Sequence, residues 1–210
     1  MVMTTECIFN LTKDQVNTLK LQVTSQAITK YNPSRFEVQA GHLWRTVCMA
    51  RGLAYDQQVK LYILVNGRSR LQKYMELPQG YCGNLLFHAT CVEKAGDITC
   101  KPLWYAVSKI NKAIKKLDDI EYLKSAIDFV ETHSNLELLV HGPQTTTSPN
   151  LSINSWATLP CYEADFGWGK PIFTGINGIK HEGQTFITPS DNGDGSFLWL
   201  SSFSLLIWRL

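Results

Sequence analysis

Ser34-Arg35-Phe36-Glu37 is the most constraining stretch in this 210-residue chain. A serine followed three residues later by a glutamate is a capping box, in which each side chain satisfies an otherwise orphaned backbone N–H of the other. Behind it Phe36, Ala40, Leu43, Trp44, Val47 and Cys48 fall on one helical face, and Gly52 supplies the stop. A helix with so broad an apolar stripe must lie against another layer of structure. Lys60–Val65 offers that layer, being short, apolar and rich in strand formers, and Asn66-Gly67 then reads as a tight turn.

The same grammar recurs along the chain. Thr12-Lys13-Asp14-Gln15 is a second capping box, followed by Val16, Leu19 and Val23 at helical spacing. Pro102 precedes an amphipathic helix with Leu103, Ala106, Val107, Ile110, Ala113, Ile114 and Leu117 on one face. Ile120, Leu123, Ile127 and Val130 mark a further helix, and residues 142–150 form a polar surface loop. Gln79-Gly80 is another turn, and strands are expected at Asn84–Thr90, Ile153–Trp156, Thr185–Ile187 and Phe197–Leu200. The expectation is an α/β or α+β layered domain, with helices flanking a mostly antiparallel or mixed sheet.

Composition excludes several function classes. A net charge of +2 gives no broad basic footprint for nucleic acid or an anionic membrane, and Lys109, Lys112, Lys115 and Lys116 read as a solvated helix face. The six cysteines include no C-x-x-C pair, so no metal site is expected and reduced thiols in the cytoplasm are the natural reading. The first ten residues lack a signal-peptide pattern. Residues 197–210 are strongly apolar but shorter than the ~17–25 residues of a membrane-spanning helix.

The most informative motif is Asp165-Phe166-Gly167-Trp168-Gly169-Lys170-Pro171. Two glycines around a tryptophan imply a tight loop with close backbone approach, and a carboxylate buried there would need a cationic partner. On the residues alone a structural turn is favoured over a catalytic site. The motif, however, resembles the DFGWG signature of the BAHD acyltransferases, and other segments follow in order. Phe9–Gln15, Ala40–Arg45, Lys60–Ile63, Asn66–Leu71, Leu77–Tyr81, Gly83-Asn84, Lys101-Pro102, Trp104-Tyr105, Tyr122–Ala126 and Asn154–Trp156 are similar to the hydroxycinnamoyltransferase branch.

The resemblance implies a chloramphenicol acetyltransferase-like layered domain, the C-terminal one of a two-domain fold, over residues 1–196, with 197–210 as a divergent apolar tail. In the family, a histidine of an H-x-x-x-D motif in the N-terminal domain deprotonates an alcohol or amine acceptor. The acceptor then attacks the thioester carbonyl of an acyl-CoA, used as co-substrate without a permanent cofactor. By the same resemblance Asp165 is a structural motif aspartate with Arg68 as its ion-pair partner, and Trp168 shapes the channel wall. Ser34, Arg35, Phe36 and Glu37 resemble one coenzyme A-contacting stretch. Asn66, Gly67, Arg68, Ser69, Arg70, Leu71 and Gln72 resemble a second, and Ser155, Trp156, Ala157 and Thr158 a third.

The chain departs from the family pattern in ways that bear on function. It contains no H-x-x-x-D, because Thr46, Val92, Thr145 and Thr185 follow His42, His88, His141 and His181, and His133 is followed by Glu137. His141 stands where shikimate- and quinate-specific enzymes carry an arginine, and Asn154 where they carry a threonine. Both residues are expected at the acceptor site, where they suit other alcohols or amines such as polyamines. The expected activity is transfer of a hydroxycinnamoyl or related acyl group from acyl-CoA to an alcohol or amine such as shikimate, quinate or a polyamine, with this chain supplying the DFGWG and coenzyme A half. The alternative is a truncated, non-catalytic fragment that binds acyl-CoA or a partner. Family members are usually monomeric; the chain alone is expected to be inactive and to expose its apolar end.

Overall fold

The computed structural model describes residues 3–27, 31–78, 80–135, 145–190 and 193–204. Both capping boxes form. The Thr12 hydroxyl accepts from the Gln15 N–H and the Gln15 side chain returns to the Thr12 N–H, opening α1 (Lys13–Gln26). Ser34 and Glu37 do the same for α2 (Arg35–Ala50), after which Gly52 turns the chain at a φ of 57°. The short helices α3 (Arg68–Leu71) and α4 (Ala95–Cys100) follow, then α5 (Leu103–Lys115) and α6 (Ile120–Thr132). Helices α2 and α5 pack closely because Gly41 has no side chain: a Cβ there would lie 2.8 Å from the Val107 side chain.

The strands are β1 (Thr4–Leu11), β2 (Gln58–Asn66), β3 (Leu86–Lys94), β4 (Leu151–Ser155), β5 (Gln184–Pro189) and β6 (Phe197–Ser204). They form one six-stranded mixed sheet in the order β1-β6-β5-β4-β2-β3, with β2, β4 and β5 mutually parallel and the other pairings antiparallel. Along β2 the side chains of Val59, Leu61, Ile63 and Val65 are buried and join one core with Trp44, Ala106, Ile110 and Leu123. Lys60, Tyr62 and Leu64 alternate with them onto the opposite, more open face. Among the described residues no helix is long and apolar enough to cross a membrane.

Two expectations change, and two elements form that the sequence did not announce. Asn66-Gly67 is no hairpin turn: Asn66 Oδ1 accepts from the Arg68 N–H and starts α3, so β3 returns only at Leu86. Strand β1 and helix α4 carry no clear local signal and form through tertiary pairing. The apolar run from Phe197 does not begin as an exposed end, because β6 lies between β1 and β5 with Trp199, Leu200 and Phe203 buried. Residues 205–210 lie outside the described residues.

A buried ion pair joins the helical layer to the sheet. Arg51, just beyond α2, donates to Glu182 at 2.6 Å and to the Asn150 carbonyl at 2.7 Å, and its side chain is only 3% exposed. Glu182 also accepts from the Ser148 N–H at 2.7 Å. Removing one partner strands the other charge in the interior, so Arg51→Met is expected to cost about 3–5 kcal/mol of unfolding free energy, and Arg51→Met/Glu182→Leu distinctly less. Urea unfolding of both variants measures the difference.

Candidate functional site

Parallel strands bring their C-terminal ends to one edge of a sheet, the usual place for a ligand in such folds. Here β2 ends at Asn66, β4 at Ser155 and β5 at Pro189, while β1 ends beside them because Leu11 and Pro189 both pair with Phe197. The start of α2 joins this edge: a Cβ on Gly195, in the turn before β6, would lie 3.6 Å from both the Arg35 guanidinium and the Lys13 side chain. The three stretches 34–37, 66–72 and 155–158 therefore lie along one end of the sheet.

Within those stretches many groups are already engaged. Glu37 is buried and accepts from the Ser34 N–H, the Ser34 hydroxyl and the Asn111 amide at 2.7–2.8 Å. Burial pushes its carboxyl upward, but donors from Tyr31, Asn111 and Ser34 outweigh burial and hold it below the usual carboxylate value. Phe36 packs on the core. Arg35, by contrast, is exposed and makes no ion pair among the described residues. Lys13 beside it was not anticipated, since only the tertiary fold brings the two helix starts together.

Around α3, Leu71 is buried while Ser69 and Gln72 face solvent. Arg70 pairs with Asp118 at 3.0 Å and donates to the Asn66 carbonyl. Arg68 donates to the Tyr81 and Gly83 carbonyls at 3.1 and 2.6 Å and to Asn66 Oδ1, fastening the following loop. It does not pair with Asp165. That expectation assumed a buried carboxylate, whereas Asp165 is exposed and accepts from the Gly167 and Gly169 N–H groups at 2.8 and 3.1 Å. The two glycines adopt φ near 97° and 98°, which curls the loop around its own carboxylate. The loop tip projects Phe166, Trp168 and Ile172 outward at 82%, 92% and 88% exposure, so Trp168 lines no wall within the described residues.

At the end of β4, the Trp156 N–H donates to the Ile187 carbonyl and its ring stands edge-on to Phe186 at 5.7 Å. The Ser155 hydroxyl accepts from the Ala157 N–H, and Thr158 is exposed. Asn154 sits on the open face in a row that crosses all six strands: His88, Leu64, Asn154, Phe186, Leu200 and Ile8. Asn154 as a whole is buried, at 9% exposure. His141 lies outside the described residues. His42, half-buried on α2 with its ring 6.2 Å from Trp199, is held below the usual imidazole range by burial and by Arg45.

The Transferase family model matches residues 1–202. The chain belongs to this family, the BAHD acyltransferases. The match continues into β6, beyond the point where the sequence pattern suggests divergence. A shikimate O-hydroxycinnamoyltransferase of Nicotiana tabacum is 51% identical over 193 residues, which are 92% of this chain and 43% of that protein. An anthranilate N-benzoyltransferase of Dianthus caryophyllus is 45% identical over 192 residues, 91% of this chain and 43% of that protein. The chain thus spans less than half the length of these curated BAHD relatives.

Two solved structures share the fold. The F. sporotrichioides TRI101 complexed with coenzyme A and T-2 superposes with a TM-score of 0.83 at 17% identity, covering 100% of this chain and 48% of that one. Vinorine synthase gives 0.72 at 20% identity, covering 98% of this chain and 45% of that one. The α/β layered BAHD domain, a mixed sheet covered by helices, is the architecture of this chain.

The Glu37 network makes a pH prediction. A carboxyl held below its ordinary 4.5 contributes stability that is present above that pH and lost as pH falls through the lowered folded-state value. Wild type is therefore expected to exceed Glu37→Gln in stability near neutrality, with the advantage shrinking below pH 4.5. Thermal unfolding of the pair across that range measures it.

Proposed function

We propose that this chain is the coenzyme A-side half of an acyl-CoA-dependent transferase that moves a hydroxycinnamoyl or benzoyl-type group to an alcohol or amine. The observation that carries this reading is the meeting of residues 34–37, 66–72 and 155–158 at one end of the sheet. Arg35 brings positive charge there, joined by Lys13, which also faces the Asp194 carboxylate, and such charge suits the phosphates of a coenzyme A. The ends of β4 and β5, with Trp156 and Phe186, form an aromatic corner against which a pantetheine arm and an acyl ring can pack.

The acceptor hydroxyl or amine would lose its proton to a histidine supplied from outside this chain, because no H-x-x-x-D occurs in it. Attack on the thioester carbonyl gives a tetrahedral oxyanion, which collapses with release of coenzyme A thiolate. The Asn154 amide on the open face can both donate to and accept from such an acceptor. The relatives named for shikimate and anthranilate bracket the choice between O- and N-acylation.

The solvent-facing Phe166, Trp168 and Ile172 are then the contact with the remaining half, since large apolar side chains clustered and so exposed are unusual on a free surface. The lack of the histidine motif favours a second reading, a fragment that binds acyl-CoA or a partner without turnover. We place either form in the cytoplasm, where its cysteines stay reduced.

Mixing the chain with a separately expressed upstream half of the tobacco relative should restore acyl transfer that neither half shows alone. Trp168→Asp should weaken the association by about 30-fold or more, the loss of an interface hot spot. Arg35→Ala should weaken acyl-CoA binding by the chain, followed by its intrinsic tryptophan fluorescence. Acyl-CoA binding without restored turnover would establish the second reading, and no binding at all would refute both.

A further inference from the structure

An apolar groove of about 730 Å³ starts at the strand-end edge of the sheet and runs back along β1 and β6 beside α1 and α2. Leu11 marks its near end, because it pairs with Phe197, the residue that also pairs with Pro189. Phe203, opposite Thr5, marks the far end, and Phe9, Leu43, Val47 and Trp199 line the stretch between. These side chains lie on the helical side of the sheet. Asn154 belongs to the row on the open face, so the groove is separate from the acceptor position proposed above. Its volume falls within the ~300–1,000 Å³ that holds a drug-sized molecule.

The polar groups of the groove select what can enter it. Thr18 donates its hydroxyl proton to the Asp14 carbonyl and Thr46 to the His42 carbonyl, both at 2.8 Å, so each hydroxyl oxygen is left as an acceptor. Asp14 is the one formally charged residue among the described residues that line the groove, and its carboxylate only accepts. Burial and Arg45 hold His42 below the usual imidazole range, so near neutrality it adds no positive charge. Arg51 stands 5.9 Å from the Phe203 ring at the far end, but Glu182 neutralises it. Asn10 and Gln15 add neutral amides. The groove thus joins three aromatic walls to a rim that is rich in acceptors and negative in charge. We propose that it binds an aromatic amine, with the rings against Phe9, Trp199 and Phe203 and the ammonium at Asp14. An anionic ligand of the same shape meets Asp14 unfavourably and is rejected.

Two dyes with one fluorophore and opposite charge test this. Monodansylcadaverine joins a naphthalene to a primary ammonium, and dansylglycine joins the same ring system to a carboxylate. Fluorescence titration of the intact chain at neutral pH should show the cationic dye binding about tenfold more tightly than the anionic one. Asp14→Asn should bring the two within about threefold of each other. Thr18→Trp, at an exposed position on the groove wall, should remove the binding of both. Asn154→Ala and saturating coenzyme A should leave the binding unchanged. Equal binding of the two dyes, or tighter binding of dansylglycine, overturns the proposal. Loss of binding in Asn154→Ala, or displacement by coenzyme A, overturns it by moving the amine to the strand-end site. Binding that vanishes as a dimer forms on gel filtration also overturns it, by making a second copy the occupant. The comparison of the two dyes uses the unaltered chain, so it decides even where a variant fails to fold.

Discussion

The Arg51–Glu182 pair is the constraint on which the rest of the architecture hangs. Arg51 leaves the end of α2 and reaches the Asn150 carbonyl, one residue before β4, and Glu182, two residues before β5. Asn150 in turn accepts from the Lys60 N–H in β2 through its side chain. One knot of hydrogen bonds thus fixes the starting ends of all three parallel strands relative to α2. Their opposite ends carry the candidate site, so the register set at the knot is transmitted along rigid strands to Asn66, Ser155 and Trp156. Burying two charges for this purpose is costly in isolation, and the cost is offset because both carboxylate oxygens and both Nη atoms of the guanidinium have partners, although its buried Nε has none among the described residues.

A second network plays a similar part at the other end of α2. Ser34, Glu37 and Asn111 bind the start of that helix to α5, and Trp199 donates to Gln39 from the sheet at 3.0 Å. The residues of the 34–37 stretch thereby take different roles. Glu37 and Ser34 hold the helix, Phe36 packs, and the exposed Arg35 side chain makes no ion pair among the described residues. A stretch that resembles a ligand-contacting segment need not contribute every side chain to the ligand. Here the capping box places the arginine rather than touching anything itself.

What was legible in the sequence was local. Helices α1, α2, α5 and α6 announce themselves through caps and apolar stripes that depend on neighbours a few residues away. Strand β1 does not, because its exposed and half-buried residues alternate weakly and its partner β6 lies at the far end of the described chain. The Asn66-Gly67 pair carries a hairpin signal, yet Asn66 uses its side chain to start a helix instead. For the site, the motif order pointed to stretches that the fold sets along one end of the sheet, but not to how their groups are spent. The Asp165–Arg68 pairing failed because both partners find backbone groups nearer at hand.

The pairing of β1 with β6 also sets the order in which the molecule can be made. Every other strand of the sheet finds a neighbour that is emitted from the ribosome before residue 190, whereas residues 4–11 pair only with 197–204. Strand β1 must therefore wait, unpaired, until β6 emerges, and closing so long a loop is intrinsically slow. During that interval the groove-facing sides of Phe9 and Leu11 have no sheet to lie on. The emergence of β6, more than the strength of any single contact, governs when this sheet becomes safe from misassociation.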